Sequence, residues 1–454
     1  MRISIVGLGK LGAPMAVVMA DNGHSVVGVD CDPTRVDKVN AGLAPVQEPE
    51  LAQMIALNSA RLCATGSHEE ALAATDVTFL VVPTPSEPHG GFSMRCVLEA
   101  AGRLGAALRD KDSFHLFVLS STVMPGSTGG ELLPALEIAS GKSCGRHFGL
   151  CYNPLFIALG SVIHNLVNPD LVLIGESDER SGDMLAGLHR GICENSPAIR
   201  RMNFVNAELT KLSVNTFITT KISYANMLAE VCEQLPGGDV DVVTSAIGCD
   251  SRIGRQCLKG AVGYGGPCFP RDNSAFAMLA RQLGVPAQLA EATDAVNRRQ
   301  VARIADLALA ALPAGGTVAI LGLSYKPDTS VVDESPGLAV AAHLAGEGVR
   351  VRLYDPAGIP NARRFLGDSV MYASSAEECA RGADVLIVAT PWKEFYDLSP
   401  AVFDGARRRP TVIDCWRLLP QEKFERVADY LSVGVGPARE PLPARSEVHA
   451  GLGA

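Results

Sequence analysis

A thiol, an ammonium, an amide and a carboxylate stand out in this chain as a set able to make and break a bond to carbon. Cys268 lies in GAVGYGGPCFPRDN, residues 260–273, where Gly263, Gly265 and Gly266 make a loop that can come close to a ligand. Pro267 and Pro270 stiffen the backbone on either side of the sulfur. Asp272 follows four residues on, near enough in sequence to hold a water or accept a proton. Lys211 and Asn215 are spaced i and i+4 in a segment of helical periodicity, so both project from one face. On that face they suit an oxyanion formed at a sulfur-bound carbon. Most of the remaining cysteines, scattered without CxxC pairs, read as small buried hydrophobes.

A second constellation points to a dinucleotide. IVGLGKLGAP puts Gly7, Gly9 and Gly12 in GxGxxG spacing between a β-run and a helical run. Such glycines allow a tight turn, close approach of a pyrophosphate and close helix packing, and the helix N-terminus offers N–H groups to the phosphates. The next strand, SVVGVD, ends in Asp30, whose carboxylate can accept both ribose hydroxyls of NAD and repel a 2′-phosphate. Arg35, one helical turn further, can help hold the adenosine-side phosphates or stand solvated at the surface.

These residues need a scaffold, and the sequence supplies one twice. From Arg2 to about Gly175, short β-branched runs alternate with Ala/Leu-rich helical stretches, as in a parallel sheet covered by helices. A long helical segment without internal Pro or Gly follows, capped by Asn203 or Asn206 and ended by Pro236-Gly237-Gly238. TVAILGLSY, RVRLYDP, ADVLIVATP and PTVIDCW then repeat the first half's organisation. The expectation is an α/β protein of two Rossmann-like, doubly wound domains joined by a long central helix. Residues 1–200 form the NAD domain, 201–300 a central region with the cysteine loop, 313–432 the second Rossmann-like domain, and 433–454 a disordered tail rich in Pro, Gly, Ala and Arg.

Composition narrows the partners. With 40 Lys+Arg against 49 Asp+Glu in 454 residues, no overall basic field draws nucleic acid or an anionic membrane. Apolar runs such as VTFLVVP fall well short of the roughly 20 residues of a spanning helix. The first strand-like run starts at Arg2 with no leader-like segment ahead of it, and a cytoplasmic location is expected. The nine histidines are dispersed without ligand spacing, so no metal site is expected.

Taken together, these segments resemble the UDP-glucose/GDP-mannose dehydrogenase family up to about Leu418. The resemblance runs through GLGKLG with VDCDPTRV, VPTP (Val82–Pro85), SSTVMPG (Ser120–Gly126), AELTKLSVNTF (Ala207–Phe217), DSRIG (Asp250–Gly254), YGGPCFPRD (Tyr264–Asp272), SYKPDT (Ser324–Thr329) and ESP (Glu334–Pro336). It implies a homodimer that oxidises carbon 6 of a nucleotide sugar with NAD. Cys268 is then the nucleophile beside Lys211, Asn215 and Asp272, and Thr122 orients a water. Gly7, Gly9, Gly12, Asp30, Thr84 and Thr122 bind NAD, while Arg252, Tyr264, Gly265 and Lys326 meet the substrate. Two successive hydride losses, with the aldehyde captured as a hemithioacetal and released from a thioester, would give the uronate.

The chain departs from the family pattern in places that bear on chemistry. Relatives resemble NPEFLREG where this chain reads NPLFIALG, with Leu155 and Leu159 in place of glutamates, the first of which manages the hydrolytic water. Asp333 stands where relatives often carry Arg, and Trp416 lies near the position of a substrate arginine, which Arg417 can replace. These changes leave open GDP-mannose or a UDP-N-acetyl sugar as substrate, oxidation that stops early, and a non-catalytic nucleotide-sugar binder. A β-hydroxyacid dehydrogenase also places a Lys/Asn pair on a long helix after a Rossmann domain, but needs no cysteine.

Overall fold

The inner strands of this computed structural model, which describes residues 1–437, are largely buried on both faces, as parallel strands under two helical layers must be, while the edge strands are partly exposed. Among the described residues the first sheet has β1 (Arg2–Val6), β2 (Ser25–Val29), β3 (Leu62–Thr65), β4 (Val77–Leu80), β5 (His115–Leu119), β6 (Phe148–Tyr152), β7 (Leu171–Glu176) and β8 (Ala198–Met202). Their order is β3-β2-β1-β4-β5-β6-β7-β8. Along β5, Leu116 and Val118 enter one apolar cluster, Phe117 and Leu119 the other. The second sheet, β9 (Thr317–Leu321), β10 (Arg350–Tyr354), β11 (Met371–Tyr372), β12 (Val385–Val388), β13 (Thr411–Asp414) and β14 (Asp429–Ser432), has the order β11-β10-β9-β12-β13-β14 and is parallel throughout. Both orders reverse beside their first strand, which is the doubly wound topology expected, and this places a crevice at the carboxyl ends of β1 and β4.

The last two strands of the first sheet, β7 and β8, are parallel to each other and run against the other six. β7 runs antiparallel to β6, pairing Cys151 with Glu176 and Tyr152 with Gly175. An antiparallel neighbour needs no crossover, so residues 153–170, which carry Leu155 and Leu159, stay at the carboxyl end of β6.

The long helix spans Phe204–Glu233, about 45 Å at the usual rise. Asn203 rather than Asn206 caps it, its side-chain oxygen accepting from Asn206 N at 2.9 Å. The chain divides into two compact units, Met1–Thr216 with Arg271–Ala287, and Phe217–Pro270 with Gln288 onward, so residues 201–300 are shared between them. Of the tail expected from 433, residues 438–454 lie outside the described residues. Residues 433–437 make backbone hydrogen bonds, Val240 N to Gly434 O and Gly237 N to Pro437 O, both 2.9 Å. No helix among the described residues is long and apolar enough to cross a membrane, and none of their acidic, His and Cys side chains group as a metal site.

A buried polar chain ties β1, β4 and β5 together. Ser4 Oγ meets Thr78 Oγ1 at 2.7 Å, Thr78 meets His115 Nε2 at 2.8 Å, and Lys111 Nζ lies 3.1 Å from His115 Nδ1. Lys111 only donates, so Nδ1 accepts and the ring is neutral. Burial, and secondarily the Lys111 charge, lower the His115 pKa from 6.5 to about 3. Between these values the unfolded chain binds a proton the folded chain refuses. The stability His115 contributes is therefore complete above pH 6.5 and lost as pH falls towards 3, by about 1.4 kcal/mol per pH unit. Urea unfolding of the first unit from pH 7 to 5 should show a steeper acid loss in the native protein than in His115→Gln; equal slopes would refute the assignment.

Candidate active site

The turn after β1 is built by contacts that distinguish its three glycines. Gly7 has φ +101°, and a Cβ there would stand 2.5 Å from Val81 O; a Cβ on Gly12 would stand 1.7 Å from Gly7 O. Packing alone therefore demands both. Gly9 differs, because a Cβ would meet only Arg35 Nη1, at 4.0 Å. Asp30, 7% exposed, accepts from Leu8 N at 2.7 Å, Asp32 N at 2.9 Å and Arg35 Nη1 at 3.2 Å. The helix Gly12–Asp21 has no capping side chain and no acidic residue in its first turn.

The loops after β4 and β5 meet beside this turn's crevice. Thr84 Oγ1 donates to Thr122 O at 2.7 Å, and Ser121 Oγ donates to Val82 O at 2.6 Å. Glu208, fully buried on the long helix, anchors the same loop by accepting from Gly126 N (2.6 Å) and Thr128 N (2.7 Å). Burial raises its pKa, against which its hydrogen bonds with the Gly126–Thr128 segment act. One and two turns further along the helix, Lys211 donates to Leu155 O at 2.8 Å and lies 4.7 Å from the Phe156 ring centre, and Asn215 donates to Asp272 Oδ2 at 2.6 Å. Asp272 is 2% exposed. Arg271 reaches Thr84 O at 3.0 Å and stacks on Phe92, with Asp272 Oδ1 3.4 Å from its Nε. The first unit thus gathers Thr84, Thr122, Lys211, Asn215 and Asp272. Glu208 and Arg271 went unmarked in the sequence because their partners are backbone groups about 80 and 187 residues away.

Leu155 itself packs on the first unit's core, and its carbonyl takes the Lys211 ammonium. Glu48 holds the far end of this segment, accepting from Gly160 N at 3.1 Å and Val162 N at 2.6 Å.

The second unit carries Cys268, exposed and directly ahead of the helix Phe269–Gln282. The glycines of its loop answer to neighbouring protein groups. A Cβ on Gly263 would be 2.5 Å from Asn297 Oδ1, one on Gly265 2.2 Å from Glu334 O, and one on Gly266 2.6 Å from the Tyr325 ring. Burial pushes the Tyr325 hydroxyl up to about 12, and the Cys268 thiol acts in the same direction. Tyr264 is 5% exposed; Lys326 is half-buried in the segment after β9; Arg252, with its side chain 87% exposed, folds back on Asp250 at 2.6 Å. Arg417 is bidentate to Asp241 at 2.8 Å and bonded to Gly260 O and Val433 O, which takes four of its five N–H donors. The Trp416 indole donates to Ala389 O at 2.8 Å.

Sequence profiles of the UDP-glucose/GDP-mannose dehydrogenase family match along the chain: its NAD binding domain at residues 1–193, its central domain at 205–299 and its UDP binding domain at 319–421. The chain belongs to this family. UDP-glucose 6-dehydrogenase AglM of Haloferax volcanii is 37% identical over 427 residues, 93% of this chain and 98% of that one. TuaD of Bacillus subtilis, also a UDP-glucose 6-dehydrogenase, is 32% identical over 96% of this chain and 93% of its own. Among solved structures, a UDP-glucose dehydrogenase from Pyrobaculum islandicum aligns with TM-score 0.86 and 35% identity, covering 96% of this chain and 98% of that one. A UDP-D-ManNAc dehydrogenase from Pyrococcus horikoshii aligns with TM-score 0.82 and 26% identity, covering 96% and 99%.

This family member is an NAD-dependent oxidoreductase, and its first unit fits the cofactor. Gly9 lacks any packing reason to be glycine, and a backbone that a pyrophosphate must approach supplies one. An ionised carboxylate offers about four lone pairs, so Asp30 with three donors can accept a ribose hydroxyl. The uncapped helix start suits phosphate. These contacts separate two variants. Gly9→Ala should keep the wild-type melting temperature and lose at least about tenfold in NAD affinity, or about 1.4 kcal/mol. Gly12→Ala should lower the first unit's melting temperature, because the added carbon overlaps Gly7 O. Unchanged NAD titration by Gly9→Ala would refute the role of that glycine.

Proposed function

We propose that this dehydrogenase oxidises the C6 hydroxymethyl group of a nucleotide sugar, UDP-glucose to UDP-glucuronate being the best fit, through a covalent adduct on Cys268. The observation that carries the reading is the buried 2.6 Å Asn215–Asp272 hydrogen bond, with Lys211 one helical turn from Asn215. Asp272 lies in the first turn of the helix that Cys268 leads into, where backbone N–H groups favour a thiolate. NAD, when bound, is the hydride acceptor in each of the two oxidations. Asp272 holds the water that takes the C6 hydroxyl proton. The Cys268 thiolate adds to the aldehyde carbon, and Lys211 and Asn215 stabilise the resulting oxyanion. After the second oxidation the carbon is a thioester. Water oriented by Thr122 cleaves it, giving the carboxylate and returning the thiol. Arg252, Tyr264, Gly265 and Lys326 hold the nucleotide sugar, and Thr84 with Arg35 lines the cofactor side.

Leu155 makes hydrolysis the slow step, since an apolar side chain brings no carboxylate to the water. Product analysis should find two NADH per sugar, with an initial burst, and Leu155→Glu should raise the steady rate; one NADH per sugar would mean the reaction ends at the aldehyde. Cys268→Ala should lower kcat by about 10³-fold or more. Full activity in that variant would defeat the reading and favour cysteine-free hydroxyacid chemistry.

The second unit also supports a homodimer. Phe217, Tyr224, Met227 and Val231 of the long helix recur at helical spacing and are 64%, 47%, 42% and 50% exposed. A second copy is the occupant that fits such a stripe. Sedimentation should show a dimer that Tyr224→Glu with Val231→Glu weakens by at least about tenfold in Kd, on the order of 1.4 kcal/mol; a monomeric native protein would overturn this.

A further inference from the structure

The backbone leading to Cys268 is fastened by two carboxamide side chains that no motif of the sequence marks. Asn226, on the long helix and 1% exposed, accepts from Ala261 N at 2.9 Å and donates to Val262 O at 3.1 Å. Asn297, on the helix Gln288–Ala311, accepts from Tyr264 N at 2.7 Å and donates to Tyr264 O at 3.0 Å. Each amide does what a neighbouring strand does in a sheet, satisfying a donor and an acceptor of a chain that has no regular partner. Arg417 takes Gly260 O at 2.9 Å, and Gly266 N donates to Asp333 O at 2.9 Å. From 260 to 267 the path is thus pinned at five residues, and Pro267 restricts the sixth.

The glycines follow from this arrangement. A Cβ on Gly263 would stand 2.5 Å from the Asn297 side-chain oxygen and one on Gly260 2.6 Å from Ala225 O, the residue before Asn226. They let the loop lie against its clamps. Without the clamps the same glycines would give the loop its largest conformational freedom just where a sulfur must be held still.

We propose that Asn226 and Asn297 are positioning residues for Cys268, Asn297 the stronger because both its bonds grip one residue, Tyr264, four positions before the sulfur. The proposal rests on the nucleophilic role of Cys268 given above. Asn297→Leu removes both hydrogen bonds at similar volume, and Asn297→Asp keeps the acceptor for Tyr264 N while losing the donor to Tyr264 O.

The test measures kcat and KM per folded enzyme, together with the iodoacetamide alkylation rate of Cys268 followed by mass spectrometry of its peptide. A displaced thiol costs turnover steeply, about 10²-fold for roughly 1 Å. Asn297→Leu should lose about 10- to 100-fold in kcat with KM changed less than about twofold, and Asn297→Asp should fall between it and the native enzyme. Alkylation should move the opposite way, rising as the loop loosens. A purely structural asparagine would lower the melting temperature while leaving kcat per folded molecule and the alkylation rate as in the native protein; that result overturns the proposal. Should Asn297→Leu fail to fold, Asn297→Asp alone carries the same comparison. Full activity of Cys268→Ala would instead remove the underlying reading, whatever the asparagine variants do.

Discussion

In each unit a helix presses on the turn of the first strand so closely that neither can carry a side chain at the contact. Gly12 meets Gly7 O in the first unit, and Gly337 meets Gly322 O in the second, where an added Cβ would be 2.2 Å away. Both turn glycines have φ +101°. Around them the bonds repeat: Gly7 N to Val29 O at 2.7 Å and Gly322 N to Tyr354 O at 2.8 Å, with Leu8 N to Asp30 and Leu323 N to Asp355 both at 2.7 Å. This contact aims the helix N-terminus at the crevice where β1 and β4, or β9 and β12, diverge, and the loops at those strand ends inherit their positions from it.

The two units diverge in what fills the turn. Four residues, 8–11, separate the contact glycines of the first; fourteen, 323–336, separate those of the second. The longer connection supplies donors of its own, so Asp355 accepts from Leu323 N, Ser324 N, Ser324 Oγ, Ala357 N, Gly358 N and Trp392 Nε1. Its lone pairs are spent within the protein, whereas Asp30 keeps acceptor capacity. The profile that matches the first unit is an NAD binding domain, and the one that matches the second is a UDP binding domain.

The same logic of occupied groups sorts the residues proposed for the chemistry. Lys211 is held by the Leu155 carbonyl, Asn215 by Asp272, and the loop bearing Thr122 by the buried Glu208. Each carries its polarity into a place where an unpaired group would be costly, so its orientation is determined before any ligand arrives. Arg417 shows the converse. Its type suited a substrate contact, but two carboxylate oxygens and two carbonyls take four of its five N–H donors and fix the guanidinium within the second unit.

What the sequence determined by itself was whatever lies within a few residues: the alternation of strands and helices, the GxGxxG turn with Asp30, the Lys211/Asn215 face and the cysteine loop. Local spacing encodes these because helix and strand periods are fixed by the backbone. Tertiary structure alone decided that β7 runs against β6, that Glu208, Arg271, Asn226 and Asn297 fasten distant loops, and that the glycines before Cys268 accommodate protein rather than only ligand. Those outcomes depend on hydrogen bonds and close contacts between segments far apart in the chain, and a backbone carbonyl awaiting a side chain leaves no signature in residue type.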